Sequence, residues 1–201
     1  MGPYQRFILP RLLDRDMQWD GHEKDRAEVL RTATGTVLEI GFGSGLNMRA
    51  YPPIDKLYAL DPSPGLLAIA RGRANEAAFP VEFLEASAER IPLPGHSVDT
   101  VVSTWTLCSI PDVRKALAEV RRVLKPGGTF IYIEHGLSPA KQRAFFQRIV
   151  TPFSRAFCGN CHLDRNIGRE LASAGFSSLS LDAHEEPGKP LFFAYSGTAR
   201  A

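Results

Sequence analysis

The chain has 201 residues, 44% hydrophobic and 23% charged, which fits one well-buried core in one globular domain and excludes a disordered chain. Its net charge of +2 comes from scattered basic residues and gives no general basis for binding nucleic acid. No apolar stretch approaches the ~20 residues of a membrane span. No signal-peptide cleavage pattern is read at the N-terminus, and Cys108, Cys158 and Cys161 cannot all pair with one another, so a reducing, cytoplasmic setting is expected.

Residues Tyr4–Trp19 mix Tyr4, Phe7, Ile8, Leu9, Leu12, Leu13, Met17 and Trp19 with charged positions, at a partly helical spacing that Pro10 interrupts. A packing helix, a lid over a pocket and a membrane-surface helix all fit. The last is disfavoured, because Asp14, Asp16 and Asp20 share the polar face with Arg11 and Arg15. Gly21–Ala33 reads as a helix with sparse apolar positions.

The chain is organised around Val37–Tyr51. Val37-Leu38-Glu39-Ile40 is a buried strand, Gly41, Gly43 and Gly45 form a turn, and Leu46–Ala50 is compatible with a helix. Such a turn brings bare backbone N–H groups up to a ligand. Tyr58-Ala59-Leu60 then ends in Asp61, at the distance from Gly41 where nucleotide-type folds place an acid on ribose hydroxyls. The dinucleotide fingerprint G-x-G-x-x-G fails because position 46 is Leu. Glu39 beside the turn would repel a pyrophosphate and suits an ammonium or sulfonium group, which favours S-adenosylmethionine over NAD. A lone G-x-G would fit an empty turn equally well; Glu39, Gly41, Gly43 and Asp61 together favour a ligand.

Ser63 is a plausible N-cap for a helix over Gly65–Ala78, with Pro64 just inside its start. Val81–Leu84 is a short strand leading to Ser87-Ala88-Glu89, and Asp99–Thr104 is the next, followed by Trp105–Ser109. A helix over Pro111–Leu124 ends in Lys125-Pro126-Gly127-Gly128. Thr129–Ile133 is a strand that delivers Glu134-His135-Gly136. A helical stretch over Pro139–Phe157 carries Phe145, Phe146, Ile149, Val150 and Phe153, with a break expected at Pro152. Cys158-Gly-Asn-Cys161-His162 matches the c-type haem pattern, but that attachment needs export, and zinc would need two further ligands. Asn166–Gly175 is a short helix, and Ser178–Ala183 and Leu191–Tyr195 are two closing strands, readable as a hairpin. This alternation implies a mostly parallel sheet covered on both faces, with ligands at the carboxyl ends of its strands.

The segments V-L-E-I-G-F-G-S-G at 37–45, A-L-D-P-S at 59–63, A-S-A-E-R-I-P-L at 86–93, V-D-T-V-V at 98–102 and E-V-R-R-V-L-K-P-G-G at 119–128 resemble class I S-adenosylmethionine-dependent methyltransferases of the type 11 group. T-W-T-L-C-S-I at 104–110, E-H-G at 134–136 and C-H-L-D-R at 161–165 resemble a narrower subgroup, the methyltransferase-like proteins that methylate small thiols and their bacterial relatives. Cys158 departs from the small residue usual before that glycine.

The resemblance implies a single-domain Rossmann-like fold: a seven-stranded, mostly parallel sheet with one antiparallel strand near Leu191–Tyr195 and helices on both faces. Residues 1–36 would be a helical lid and 37–201 the methyltransferase domain. Gly41, Gly43, Gly45 and Asn47 would cradle the methionine part of the cofactor, with Glu39 near its amino group. Asp61 would hold both ribose hydroxyls, flanked by Pro62 and Ser63. Ala88 and Glu89 would meet the adenine, and Ser103 and Thr104 would line the methionine side. Tyr4, Trp105, Cys108, Cys161 and Arg165 are expected toward the substrate, with His135 and His162 facing the acceptor and Glu134 or Glu89 orienting them. S-adenosylmethionine is the sole cofactor expected, with no metal. The partner is a small-molecule methyl acceptor, a thiol or an amine. The alternatives are a phospholipid or quinone methyltransferase at a membrane surface, and a cofactor-binding regulatory protein without catalysis.

Overall fold

Seven strands form one sheet in the order β3-β2-β1-β4-β5-β7-β6 in a computed structural model that describes residues 4–18, 20–185 and 189–201. They are β1 (Thr36–Ile40), β2 (Lys56–Leu60), β3 (Val81–Leu84), β4 (Val98–Thr104), β5 (Leu124–His135), β6 (Ser178–Glu185) and β7 (Phe193–Arg200). The first five pair parallel, and β7 runs antiparallel to both β5 and β6. The closing pair is thus antiparallel, as expected, but its second strand starts later than Leu191 and runs on to Arg200. The apolar run marked only the half buried beside β5; the polar half pairs with Thr129–Tyr132 on one side and Ser178–Leu181 on the other.

Helices cover both faces: α1 (Leu9–Asp16), α2 (Asp20–Leu30), α3 (Pro64–Arg73), α4 (Val113–Val123), α5 (Lys141–Phe157) and α6 (Ile167–Ser173). Ser63 caps α3 by accepting from the Leu66 N–H, and Asp112 and Asn166 cap α4 and α6 in the same way. Strand alternation sorts the core into two layers. Leu38, Ile40, Val101, Phe130 and Tyr132 pack with Leu117 and Val120 of α4 and Leu171 of α6. Val37, Ala59, Val102 and Ile131 pack on the other side with Leu30 of α2 and Leu67 and Ala70 of α3.

The helix α5 departs from expectation at Pro152, which lies inside it without breaking it. Its phenylalanines face outward: Phe145, Phe146, Ile149, Phe153 and Phe157 are exposed, and the buried positions are Ala144, Gln147, Thr151 and Ser154. The Gln147 amide sets this rotation, since it accepts from the Ser138 N–H and donates to the carbonyls of Gly136 and Leu191. Turning the helix over would strand three buried polar groups. Of the Tyr4–Trp19 segment, Trp19 lies outside the described residues.

Candidate active site

At the carboxyl end of β1 the chain turns through Gly41, Gly43 and Gly45, all at positive φ. The Phe42 N–H donates to the Leu60 carbonyl at 3.0 Å and ties the turn to the end of β2. There Asp61 accepts from the Gly43 N–H on Oδ2 (2.9 Å) and from the Ser63 N–H on Oδ1 (2.8 Å). Each oxygen keeps a further acceptor site, so the carboxylate can take a vicinal diol in bidentate fashion. A Cβ on Gly43 would meet only the Gly41 carbonyl oxygen, at 3.8 Å, so the space over the turn is open. Burial pushes the Asp61 carboxyl up to about 6, against the pull of the Ser63 and Gly43 N–H groups.

Glu39 is fully buried beneath this turn. Its Oε1 accepts from Asn47 Nδ2 at 2.8 Å and its Oε2 from the Tyr51 hydroxyl at 2.6 Å. Asn47 also donates to Thr104 Oγ1 at 3.1 Å, while its own Oδ1 is buried with no hydrogen-bond partner. A buried carboxylate beside an orphaned acceptor is a receptor for a cationic N–H donor. Burial pushes Glu39 up to about 8, with the bonds from Tyr51 and Asn47 and the charge of Arg26 opposing it.

Glu39 therefore keeps a proton in the folded state that the unfolded chain has lost. Its contribution makes the ligand-free protein less stable as pH rises from about 4.5 to about 8. A cation brought to Glu39 expels that proton. Binding of S-adenosylhomocysteine at pH 7 should thus release close to one proton, seen in calorimetry as a dependence on buffer ionisation enthalpy. Glu39→Gln should abolish the dependence, and a wild-type signal independent of buffer would remove Glu39 from the ligand's cationic end.

Beyond Thr104 the chain enters Trp105 at φ 50°, anchored by its N–H on the Ile133 carbonyl at 2.7 Å. The indole packs against His22 (centroids 4.4 Å apart), under the Arg26 guanidinium (4.9 Å) and near His135 (6.3 Å). The N-terminal helix α2 thereby covers this end of the sheet, with Arg26 also donating to the Met17 carbonyl at 2.9 Å. The His135 ring lies 4.6 Å from that of Phe192, and a nitrogen of its imidazole lies within 4.8 Å of the Cys108 sulfur. Cys108 and Cys161 meet at 3.5 Å between sulfurs, both buried.

Two groups of expected residues are thus brought together: Glu39, Gly43, Asn47, Asp61, Ser63 and Thr104, and then Trp105, Cys108, His135 and Cys161. Others point elsewhere. Glu134 follows the pleat to the opposite face from His135, where its Oε1 accepts from Ser103 Oγ at 2.5 Å. Ser103 and Glu134 thus satisfy each other on that face. Glu89 accepts from the Asp112 N–H and from Ser87, which makes it a brace for the start of α4. Arg165 donates to the carbonyls of Leu107 and Ile110, so its guanidinium clamps the loop after β4. The Tyr4 hydroxyl donates to the Phe157 carbonyl at the end of α5. Ala88 is buried, Pro62 exposed, and Cys158 exposed. His162 is half-buried and tied to Cys108 through its backbone N–H; burial, Arg165 and Arg155 hold its imidazole below the usual range. His22, Arg26 and Tyr51 escaped the sequence reading. The i, i+4 spacing of His22 and Arg26 was the available signal for the first two.

A family model described as "Methyltransferase domain" matches residues 38–132. Human thiol S-methyltransferase TMT1B is 34% identical over 192 residues, which is 92% of this chain and 79% of that protein. The rat protein of that name is 36% identical over 158 residues, and the match spans 65% of its length. Demethylmenaquinone methyltransferase of Thermus thermophilus is 32% identical over 163 residues, 76% of this chain and 73% of that one. The chain belongs to the S-adenosylmethionine-dependent methyltransferases. Among solved structures, a Thermotoga maritima S-adenosylmethionine-dependent methyltransferase aligns with TM-score 0.69 over 96% of this chain and 98% of that one, at 20% identity, and shares the fold. S-adenosylmethionine is accordingly the cofactor. The residues present fit it: Asp61 has acceptor sites for the ribose diol, Gly43 leaves open space, and Glu39 with the orphaned Asn47 oxygen suits the ammonium end of this methyltransferase's cofactor.

Proposed function

We propose that the chain methylates the sulfur of a small-molecule thiol, with residues 1–36 acting as the cap over the site. The observation that carries this reading is the wall beyond Thr104. It presents Trp105, Phe192 and the His135 imidazole, while Glu134 is turned to the other face of the sheet. A thiol with pKa near ~8.5 is already a few per cent thiolate at neutral pH, whereas an alkylammonium near ~10.4 is protonated nearly throughout. A site offering an imidazole and no facing carboxylate suits the thiol. The similarity to the thiol S-methyltransferases supports the same reading.

Bound S-adenosylmethionine supplies an electrophilic methyl group on a sulfonium. Asp61 holds the ribose, Glu39 and Asn47 hold the ammonium end, and Trp105 places the acceptor. The acceptor reacts as the thiolate that has already lost its proton to solvent, with the His135 ring walling its sulfur. Alignment supplies roughly 7–11 kcal/mol of the barrier reduction and a general base roughly 3–5 kcal/mol, so positioning dominates. His135→Ala should lower turnover of a small thiol at least about tenfold with binding of S-adenosylhomocysteine intact. His162→Ala should change it less, since that imidazole lies among arginines. Full turnover in His135→Ala would place the acceptor elsewhere.

A second reading, an acceptor drawn from a lipid surface, is favoured by the outward face of α5. Phe145, Phe146, Ile149, Phe153 and Phe157 are exposed there, and Phe7, Ile8 and Leu12 of the N-terminal segment are exposed too. The helix also carries Lys141, Arg143, Arg148 and Arg155 and no acidic residue. Such a composition suits an anionic bilayer, although no described helix is long and apolar enough to cross a membrane. Sedimentation with anionic liposomes should pull the protein down, and Phe153→Ser with Phe157→Ser should reduce this at least tenfold. Protein left in the supernatant with anionic and neutral vesicles alike would dismiss this reading.

A further inference from the structure

Cys108, His135 and Cys161 come from three distant parts of the chain, the loop after β4, the end of β5 and the segment after α5, yet their ligand atoms all lie within 4.8 Å of one another and all three residues are buried. Leu163, Val150 and Phe192 pack around the two cysteines, and Phe192 and Trp105 fix the His135 ring. We propose that these three side chains form a binding site for a zinc ion. The site is separate from the ribose and ammonium subsites, and the proposal does not depend on the identity of the methyl acceptor.

Geometry separates this from the two other fates of such a cluster. Zinc–sulfur bonds of about 2.3 Å in a tetrahedron place two thiolates about 3.8 Å apart. The sulfurs stand at 3.5 Å, so they need to part by only about 0.3 Å. A disulfide would need them to close to about 2.05 Å, a movement about five times larger. Simple packing of two thiols would not need an imidazole aimed at them. Two thiolates and a neutral imidazole balance a divalent cation, whereas a monovalent one would leave a net negative charge in a buried place. Three protein ligands leave the fourth position for water or another small ligand, as at catalytic zinc sites. The set is invisible to spacing rules, which point instead at Cys158, Cys161 and His162; Cys158 is exposed and stands outside the cluster.

The test is metal analysis of the full chain, reconstituted with zinc under reducing conditions and freed of excess metal. Wild type and Cys158→Ser should each retain about one zinc per chain. Cys161→Ser, and Cys108→Ser with Cys161→Ser, should retain at least tenfold less, and His135→Gln should weaken retention by a similar factor. Cobalt in place of zinc should give thiolate-to-metal charge-transfer absorption that disappears in the same variants. Circular dichroism and S-adenosylhomocysteine binding check that the variants are folded, and the wild-type stoichiometry decides the matter even where they are not. Wild type without zinc after reconstitution overturns the proposal. So does zinc that is lost on Cys158→Ser or His162→Ala instead. A disulfide also overturns it, and would show as one reactive thiol in place of three in unreduced, denatured, chelator-treated protein.

Discussion

Asp61→Asn should weaken binding of S-adenosylhomocysteine at least ~100-fold at pH 7.5, or about 2.7 kcal/mol. The carboxylate holds the Gly43 and Ser63 N–H groups with one site on each oxygen and leaves the others for the ribose. The asparagine amide keeps the shape but must aim an NH₂ at one of those N–H donors, so it either flips away or loses a bond. Hydrogen bonds to a charged acceptor contribute roughly 1.5–3 kcal/mol each, and two ribose hydroxyls are at stake. The pH dependence has a definite sign. Burial raises the Asp61 carboxyl to about 6, so wild-type affinity should fall as pH drops below about 6, by up to tenfold per unit. Its contribution to ligand-free stability runs the other way. The folded state binds the extra proton, so stability declines as pH rises from about 4 to about 6. Calorimetry across pH 5 to 8 checks both variants, and Asp61→Asn should show no slope near pH 6. Equal affinity in the mutant would move the ribose away from this carboxylate.

Gly41→Ala and Gly43→Ala should fail in different ways although both glycines sit at nearly the same φ, 64° and 60°. The left-handed conformation costs an alanine roughly 1–2 kcal/mol at either place. A Cβ on Gly41 would also run into the Thr106 side chain, whose hydroxyl caps the Gly41 carbonyl. Overpacking of that kind costs roughly 1–3 kcal/mol more. The sum, about 2–5 kcal/mol, lowers the melting temperature by roughly 5–20 °C in a chain of this size. A Cβ on Gly43 meets open space, the space proposed for the cofactor. Gly43→Ala should therefore keep most of its stability and lose affinity for S-adenosylhomocysteine at least tenfold. Thermal melts with and without ligand separate the two. The opposite pattern would place the ligand under Gly41.

The glycine turn, Glu39 and Asp61 were legible in the sequence because they are local: a strand, a turn and a second strand one crossover later. The parallel sheet followed from apolar runs alternating with capped helices, and the antiparallel close from two late strands with little chain between them. What the sequence hid depends on which face a side chain takes. Glu134 and His135 are neighbours in sequence, so both looked available to the acceptor. The pleat sends them to opposite sides, and only the helices packed on each side decide which one faces the cofactor. Arg165 was expected toward the substrate as part of the polar segment C-H-L-D-R, but the loop after β4 has carbonyls at Leu107 and Ile110 that need a donor. The phenylalanines of α5 carry a helical period that normally marks a core face, yet the buried Gln147 amide turns them outward. Residues such as His22, Arg26 and Cys161 reach the site only through tertiary folding.

Methyl transfer to sulfur is open to direct test. The direct test supplies S-adenosylmethionine labelled in its methyl group together with equal concentrations of small thiols, amines, phenols and a menaquinone precursor, and identifies the labelled products by mass spectrometry. Thioethers are the expected dominant products, with turnover rising with pH toward the thiol pKa and falling at least tenfold in His135→Ala. Label recovered on nitrogen, oxygen or quinone carbon while thiols stay unmethylated would contradict it, as would no product at all from protein that binds S-adenosylhomocysteine.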